Sequence, residues 1–358
     1  MGGVREGIPP RVGKVTGFWE MDWRPGREGI WCRPMNRRDF LLKSGATVSL
    51  GLLARGALSA QTPAPGPAPA VTMPVPIRPP TLVTEFHPLR RHTGYFTGNG
   101  GTIGWLAATD GLVAVDTQFP DTAAIFLRDL PGRDGRTFDA VINSHHHGDH
   151  TGGNAVFRPV TKTIVAQANV PELMRAAAKR NPNPPRGRLE DFLPDATFAD
   201  AWRRDFGDET IAARYFGPAH TSGDIAIHFE KANVVHTGDL VFNRLYPVID
   251  RGAGGSFRGW VARLEELVKT YPADAIYLCG HGNQKFGVTG GHPDLLAFRD
   301  YLSALLDHVA KEIKAGKPKE EIVKLDNFPG FPDLHVPPGR GNRLPGNLAA
   351  AYDELTGA

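Results

Sequence analysis

Metal-binding side chains crowd one short segment, in which three histidines, a glycine, an aspartate and a fourth histidine follow one another from His145. Imidazole nitrogens and carboxylate oxygens are ligands for zinc, and a catalytic zinc keeps one coordination position for water. In an extended segment residues two apart share a side, so His145 and His147 can converge while His146 points away. Gly148 then permits a turn that brings the last two residues of the run to a second metal ion.

A histidine run could also be a patch on the surface, and the neighbouring sequence argues against this alternative. The run follows an apolar, strand-like segment, 140–143, and precedes Thr151-Gly152-Gly153-Asn154, where the chain is expected to turn into a helix. Further polar residues recur near the ends of predicted strands downstream, namely His220, Asp239 and His281. The sequence therefore predicts a metal site assembled where several strands end.

Apolar periodicity predicts the elements that would position these residues. Two β-rich runs, 102–108 and 112–116, flank Thr109-Asp110-Gly111, which is a hairpin signal. Short strands mixed with helices, without a strict βαβ rhythm or a visible repeat, indicate a layered body rather than a doubly wound sheet. Further strands are predicted at 140–143, 163–166, 211–215, 225–229, 234–237 and 275–278, and helices at 122–130, 171–180, 257–270, 293–314 and 347–355.

The ordered motifs together resemble the signature of the metallo-β-lactamase superfamily, over residues 82–282 approximately. The resemblance implies an α+β fold of four layers, an αββα sandwich that carries two Zn²⁺ at one edge of its sheets. It also implies the ligands: His145, His147 and His220 for one zinc, Asp149, His150 and His281 for the other, and Asp239 as a bridge between them.

The chemistry implied is hydrolysis by a hydroxide that bridges the metals and attacks an ester, lactone, thioester or amide carbonyl. Each cation lowers the pKa of the shared water, so no serine or cysteine nucleophile is needed. Asp149 is expected to orient the hydroxide. Nitrogen-rich ligands favour zinc, while a bridging carboxylate also suits iron or manganese.

The residues around Asp239 bear on the choice of substrate. A Thr-Gly-Asp setting resembles glyoxalase II, lactonases and related hydrolases, whereas typical zinc β-lactamases carry cysteine or serine there and often a nearby lysine. That lysine is missing, although Arg244 could replace it as an anchor. The tail lacks a basic helical module for glutathione, so a dedicated thioesterase is not expected. A periplasmic β-lactamase, or a non-catalytic metal-binding or redox-relay protein, remain the alternatives.

Substrate contacts are predicted at Asn99, Arg244 and Tyr246. Asn99 lies in the glycine-rich segment 97–101, which could be a flap over the metals or a simple turn. His236 is expected to be structural, and Cys279 to be a buried, inert thiol.

The distribution of charge argues against nucleic-acid binding. Ten of the 41 basic and five of the 38 acidic side chains lie in residues 1–60, which leaves 31 against 33 in the remainder. A near-neutral body without a basic stripe argues against a nucleic-acid partner, so a small-molecule substrate is expected.

The residues before the domain are interpreted as an export signal, preceded by a leader and followed by a linker. Met35-Asn36-Arg37-Arg38-Asp39-Phe40-Leu41-Leu42-Lys43 resembles the twin-arginine export signal, and the apolar stretch after it ends in a small-residue cleavage motif at Ala60. We expect 1–34 to be an untranslated or non-native leader, 35–60 the signal peptide, 61–81 a Pro/Ala-rich linker, 82–314 the metallo-β-lactamase domain and 315–358 an extension packed on it. The expected location is the periplasm, reached through the twin-arginine machinery, with no stable membrane anchor. A protein exported in the folded state needs no disulfide, in agreement with only two cysteines.

Export gives the first testable prediction. Changing Arg37 and Arg38 to lysine should leave an unprocessed precursor in the cytoplasm, which fractionation and immunoblotting would reveal. The same exchange at Arg24 and Arg27, upstream of the expected start, is the matched control. Normal periplasmic delivery of the Arg37/Arg38 variant would rule out this interpretation.

Overall fold

The computed structural model describes residues 83–181, 187–336 and 341–358. The leader, export signal and linker expected over 1–81 lie outside the described residues. The elements in chain order are β1 (Glu85–Pro88), β2 (Thr93–Thr97), β3 (Ile103–Ala108), β4 (Gly111–Val115), α1 (Pro120–Asp129), β5 (Ala140–Ile142), α2 (Gly148–Thr151), α3 (Asn154–Phe157), β6 (Ile164–Gln167), α4 (Val170–Arg180), β7 (Ala196–Phe198), β8 (Ala201–Phe206), β9 (Glu209–Tyr215), β10 (Ile225–Phe229), β11 (Val234–Asn243), α5 (Phe257–Thr270), β12 (Ile276–Gly282), β13 (Thr289–Gly290), α6 (His292–Lys314), α7 (Lys319–Ile322) and α8 (Leu344–Thr356).

Two mixed sheets contain these strands. The first runs β1-β2-β3-β4-β5-β6-β7, and the second runs β13-β12-β11-β10-β9-β8. In the first sheet β1 to β4 pair antiparallel and β4 to β7 pair parallel. In the second sheet β11 and β12 form the parallel pair. Because parallel strands end at the same edge, residues that follow β4 and β5, or lie late in β11 and β12, are brought together.

Three apolar clusters separate four layers. Alternation along the strands sends Leu106 and Val113 to the space between the sheets, where they join residues of the second sheet such as Ile227. Trp105 and Leu112 face the other way, and their cluster includes residues of α1 and α3.

A third cluster lies between the second sheet and helices α5, α6 and α8. Its largest side chain, Trp260 of α5, is fully buried and donates its indole N–H to the carbonyl of Leu240 at 2.8 Å. The αββα sandwich expected from the sequence is therefore confirmed.

The strand β11 is longer than the predicted 234–237, and the difference matters for the site. Gly238 has a φ of 49°, and the register with β12 shifts on either side of it. Glycine tolerates this left-handed conformation, so the strand continues through an irregularity and carries Asp239 inside it rather than after its end.

The prediction missed strands that lack an apolar face. In β8 most side chains of Ala-Trp-Arg-Arg-Asp-Phe are exposed, since the strand lies at the edge of its sheet and pairs with β9 alone. Polar edge strands are common because they discourage pairing with other chains. Among the described residues, no helix is both long and apolar enough to span a membrane.

The end of the chain packs on the domain through α8. Leu344, Leu348 and Ala351 are buried in the cluster that also holds α5 and α6. Glu354, on the same helix, lies against the first turn of α5, where its carboxylate accepts hydrogen bonds from the backbone N–H groups of Phe257 at 2.8 Å and Arg258 at 3.0 Å. A negative charge at a helix N-terminus satisfies free N–H groups and the helix dipole together.

Replacing this carboxylate tests how firmly the extension is held. Glu354→Gln should lower the free energy of unfolding by about 2 kcal/mol, because hydrogen bonds to a charged, buried group contribute more than neutral ones. Denaturant titration would measure the change, with Glu320→Gln on an exposed part of α7 as the control. Equal free energies of unfolding for the two variants would contradict the conclusion that the Glu354 carboxylate holds the extension on α5.

Candidate metal centre

The histidine run lies at the carboxyl end of β5, where the sequence analysis expected it. His145 and His146 follow the strand, His147 is the N-cap of α2, and the remaining two polar residues of the run lie in that short helix. The loop between β9 and β10 supplies His220, while β11 and β12 supply Asp239 and His281. The seven of these side chains other than His146 thus meet at one edge of the sandwich.

The first set of potential ligands is His145, His147, His220 and Asp239, whose ligand atoms all lie within 4.8 Å of one another. His220 Nε2 lies 2.9 Å from His147 Nδ1. Asp239 Oδ2 lies 3.4 Å from His220 Nε2 and 3.9 Å from His145 Nε2. Three imidazole nitrogens therefore surround one carboxylate oxygen.

The second set is Asp149, His150 and His281, which also fit within 4.8 Å. His281 Nε2 lies 3.1 Å from Asp149 Oδ2 and 3.5 Å from His150 Nε2. The other oxygen of Asp239, Oδ1, lies 3.1 Å from His150 Nε2 and 3.5 Å from His281 Nε2. Asp239 thus presents one oxygen to each set, as a bridging carboxylate would.

One buried atom indicates that these sets fit metal ions. His145 Nε2 makes no hydrogen bond to any residue that the structure describes. A buried polar atom without a partner costs about 1–3 kcal/mol, and a cation at this position would remove that cost. Imidazole nitrogens and carboxylate oxygens are among the ligands that bind zinc in proteins.

The charges of the buried side chains also indicate that the two sets fit metal ions. Burial lowers the pKa of His145, and it lowers that of His220 to about 3, so both imidazoles are neutral and offer lone pairs. Burial alone would also lower the pKa of His150, but the carboxylates of Asp239, Asp116 and Asp149 outweigh it and hold the pKa well above its usual range. The acidic cluster thus requires positive charge, which divalent cations would supply on displacing that proton.

A buried carboxylate outside both sets orients their histidines. Asp116 Oδ2 lies 2.7 Å from His150 Nδ1, and Asp116 also accepts hydrogen bonds from the backbone N–H and hydroxyl of Ser144, each at 2.7 Å. Ser144 Oγ in turn lies 3.0 Å from His145 Nδ1. These contacts direct both Nε2 atoms toward the metal sets, a support that ligating histidines commonly have.

The loop after β11 orients the other histidines of the first set. The carbonyl of Val248 lies 2.8 Å from His220 Nδ1, and Asp250 Oδ2 lies 3.1 Å from His147 Nε2. His146 belongs to neither main set, and its Nε2 lies 3.6 Å from the same oxygen of Asp250. His236 also lies outside the sets, where its Nδ1 accepts a hydrogen bond from the N–H of Gly238 at 3.1 Å.

Sequence reasoning missed both orienting carboxylates. Asp116 directly follows β4, so the argument from strand ends that found the histidines would also have found it. Asp250 lies in an irregular segment, and nothing in its surrounding sequence indicates a role.

A cavity of about 360 Å³ opens over the two sets. Its wall contains the apolar side chains of Phe119, Phe242 and Val248 and one permanent cation, Arg343. The remaining lining comes from candidate metal ligands and a glycine between two of them, namely His147, Gly148, Asp149, Asp239 and His281.

The predicted substrate contacts lie elsewhere. Tyr246 is 2% exposed and its hydroxyl accepts a hydrogen bond from Phe328 N–H at 3.0 Å, so it belongs to the core. Arg244 pairs with Asp294 at 3.2 Å and does not line the cavity over the metal sets. Asn99 is exposed and is also absent from that lining.

The glycine-rich segment 97–101 forms a turn against the metal centre. The backbone N–H of Gly101 donates to the carbonyl of Asp149 at 2.9 Å, and Gln118 Nε2 donates to the carbonyl of Gly101 at 2.6 Å. A Cβ atom at Gly101 would overlap the ring of His150. Close packing therefore accounts for this glycine.

Comparison with known proteins agrees with the geometry. Residues 97–281, more than half of the chain, match the family model described as the metallo-beta-lactamase superfamily. The chain belongs to this superfamily. Its relatives include a hydroxyacylglutathione hydrolase from Methylococcus capsulatus, 29% identical over 240 residues that cover 61% of this chain and 83% of the relative. Another hydroxyacylglutathione hydrolase, from Hyphomonas neptunium, is 26% identical over 295 residues, which cover 77% and 96%.

A solved structure supports the fold of this superfamily member. A double mutant of the sec-alkyl sulfatase PisA1 aligns with a TM-score of 0.56 at 17% identity, over 76% of this chain and 50% of that one. Family and relatives together make the protein a metal-dependent hydrolase, as the sequence predicted.

The position of Asp239 between the sets gives a stoichiometric prediction. The parent should bind about two equivalents of zinc and Asp239→Ala about one, because the carboxylate offsets the repulsion between neighbouring cations. Metal analysis after dialysis measures the ratio, and Asp307→Ala, on an exposed part of α6, is the control. Retention of two equivalents by Asp239→Ala would show that the carboxylate does not bridge.

Proposed function

We propose that this protein is an exported, dinuclear zinc hydrolase that cleaves thioesters and related acyl esters. The observation that carries the proposal is the position of Asp239, because its two carboxylate oxygens face two separate groups of imidazoles. In this proposal His145, His147 and His220 would hold one zinc, Asp149, His150 and His281 would hold the other, and Asp239 would contribute to both sites.

The metal ions and the protein contribute different parts of the chemistry. When bound, two divalent cations lower the pKa of water and polarise a carbonyl oxygen. Asp149 lies at the floor of the cavity, where its carboxylate can accept a hydrogen bond from the attacking water and orient it toward the carbonyl carbon. His281 Nε2 lies 3.1 Å from Asp149 Oδ2, so these two side chains would hold the same metal ion.

The protein also shapes the surroundings of the reacting carbonyl. Phe119 and Phe242 on the cavity wall exclude water from the acyl group, which strengthens electrostatic interactions there. The ring of Phe242 also stacks on that of His281, with centroids 5.4 Å apart, and so limits the orientations of this histidine. The cavity thus combines an apolar wall with a polar floor, as expected for a site that binds an acyl chain and activates water.

Two features favour thioesters over β-lactams. The sequence argued against a dedicated thioesterase, but the hydrolases of Methylococcus capsulatus and Hyphomonas neptunium are named for hydroxyacylglutathione, which is a thioester. Asp239 occupies the position where zinc β-lactamases typically carry cysteine or serine, and the residues that follow it on β11 are apolar. Periplasmic export, proposed from the sequence, would suit either substrate class.

A substrate panel with the zinc-loaded protein tests the proposal. We expect thioesters, including a hydroxyacylglutathione, to be hydrolysed with kcat/KM of about 10⁴ M⁻¹s⁻¹ or more, as for ordinary enzymes. Penicillin should be a much poorer substrate. Faster turnover of penicillin, or no thioester hydrolysis with two zinc ions bound, would contradict the proposal.

Adjacent histidines provide matched variants for the same assay. His147→Ala should lower kcat/KM by about a hundredfold or more, because it removes a ligand of the first zinc. His146→Ala, one residue away, should be much milder, since this ring belongs to neither set that encloses Asp239. Equal losses of kcat/KM from the two substitutions would contradict the assignment of His147, and not His146, to the first zinc.

A further inference from the structure

The C-terminal extension contributes one charged side chain to the cavity over the metal centre. Arg343 immediately precedes α8 and is the only Lys or Arg among the described residues that line this cavity. The match to the superfamily model ends at residue 281, so Arg343 belongs to a part of the chain outside that match.

The extension holds Arg343 firmly at this position. Arg343 Nη1 donates to the carbonyl of Tyr246 at 3.3 Å, and the next residue, Leu344, is fully buried. The side chain of Asn342 donates to the carbonyl of Asp326 at 2.8 Å and accepts a hydrogen bond from Leu344 N–H at 3.0 Å. The backbone on both sides of the arginine is therefore fixed, and a ligand would meet a pre-arranged guanidinium group.

The surroundings suit an anionic group on an otherwise apolar ligand. Val248 is 39% exposed and is one of three exposed large hydrophobic residues in the described part of the chain. Its backbone carbonyl contacts His220, so this exposed side chain stands beside the metal centre. With Phe119 and Phe242 it forms an apolar wall, next to which a charge-assisted hydrogen bond is stronger than in water.

From these observations we infer that Arg343 binds a carboxylate of the substrate and makes the enzyme selective for anionic acyl thioesters. The inference rests on the proposed function and adds the substrate class to it. Arg244, which the sequence favoured as the anchor, pairs with Asp294 away from this cavity. The bidentate geometry of a guanidinium group is matched to a carboxylate, which favours this anion as the ligand.

Matched substrates that differ only in charge test the inference. The first pair is S-acetyl-3-mercaptopropionate and its uncharged amide, and the second is a succinyl and a butyryl thioester of one neutral thiol. These pairs place the carboxylate on the thiol side and on the acyl side of the scissile bond. We expect the parent enzyme to prefer the charged member of at least one pair by about tenfold or more in kcat/KM.

Variants at Arg343 separate recognition of charge from a structural role. Arg343→Met should abolish the preference while changing kcat/KM for the neutral substrates little, and Arg343→Lys should restore part of it. Arg128→Met, which removes an exposed arginine of α1, is the control and should keep the preference. A purely structural role for Arg343 would instead lower activity on charged and neutral substrates alike, and that result would overturn the inference.

A binding measurement keeps the inference testable if thioesters are not substrates. Calorimetric titration of the zinc-loaded protein with 3-mercaptopropionate and with 3-mercaptopropionamide compares two thiols that differ in one charge. We expect the carboxylate to bind about tenfold more tightly in the parent and equally in Arg343→Met. If the enzyme turns over no thioester but the parent shows this difference in Kd, the proposed reaction is refuted and the role of Arg343 is not. If thioesters are hydrolysed and the preference for charge does not depend on Arg343, the inference is refuted and the proposed reaction is not.

Discussion

The structure depends on the burial of negative charge at the junction of two sheets. Asp239 is 4% exposed, Asp116 is fully buried, and Asp149 lies beside them. Buried carboxylates are unfavourable unless they are paired with positive charge. A protonated His150, or the cations that would displace its proton, supplies that charge. The position of each histidine is therefore tied to the position of a carboxylate.

Placing Asp239 at the centre constrains the neighbouring backbone. The left-handed conformation of Gly238 allows β11 to shift its register, and a Cβ at this glycine would overlap the side chain of Ser144. On the adjacent strand β12, a Cβ at Gly280 would overlap the carboxylate of Asp239. Gly280 thus leaves room for the aspartate and Gly238 leaves room for Ser144, and the parallel pairing of β11 with β12 then brings His281 to the aspartate.

The support of the metal centre comes from segments that are far apart in sequence. Asp116 follows β4, Asp250 lies after β11, and the extension is anchored through Glu354 on the first turn of α5. The extension therefore has a defined place beside the catalytic domain. It brings a guanidinium group to the same cavity as ligands that lie nearly two hundred residues earlier in the chain.

The sequence by itself determined the layered α/β class and seven candidate ligands, because side-chain type and period-two alternation act locally. His145 and His147 share the first candidate set, which does not include His146, although His146 and His147 both lie near Asp250 Oδ2, at 3.6 and 3.1 Å. The substrate residues could not be predicted in this way. Arg244 is one residue beyond β11, yet it turns toward Asp294, and Tyr246 enters the core. Only the tertiary structure placed Asp250 and Arg343, because their partners depend on how loops and the last helix pack, and such packing leaves no periodic signal in the chain.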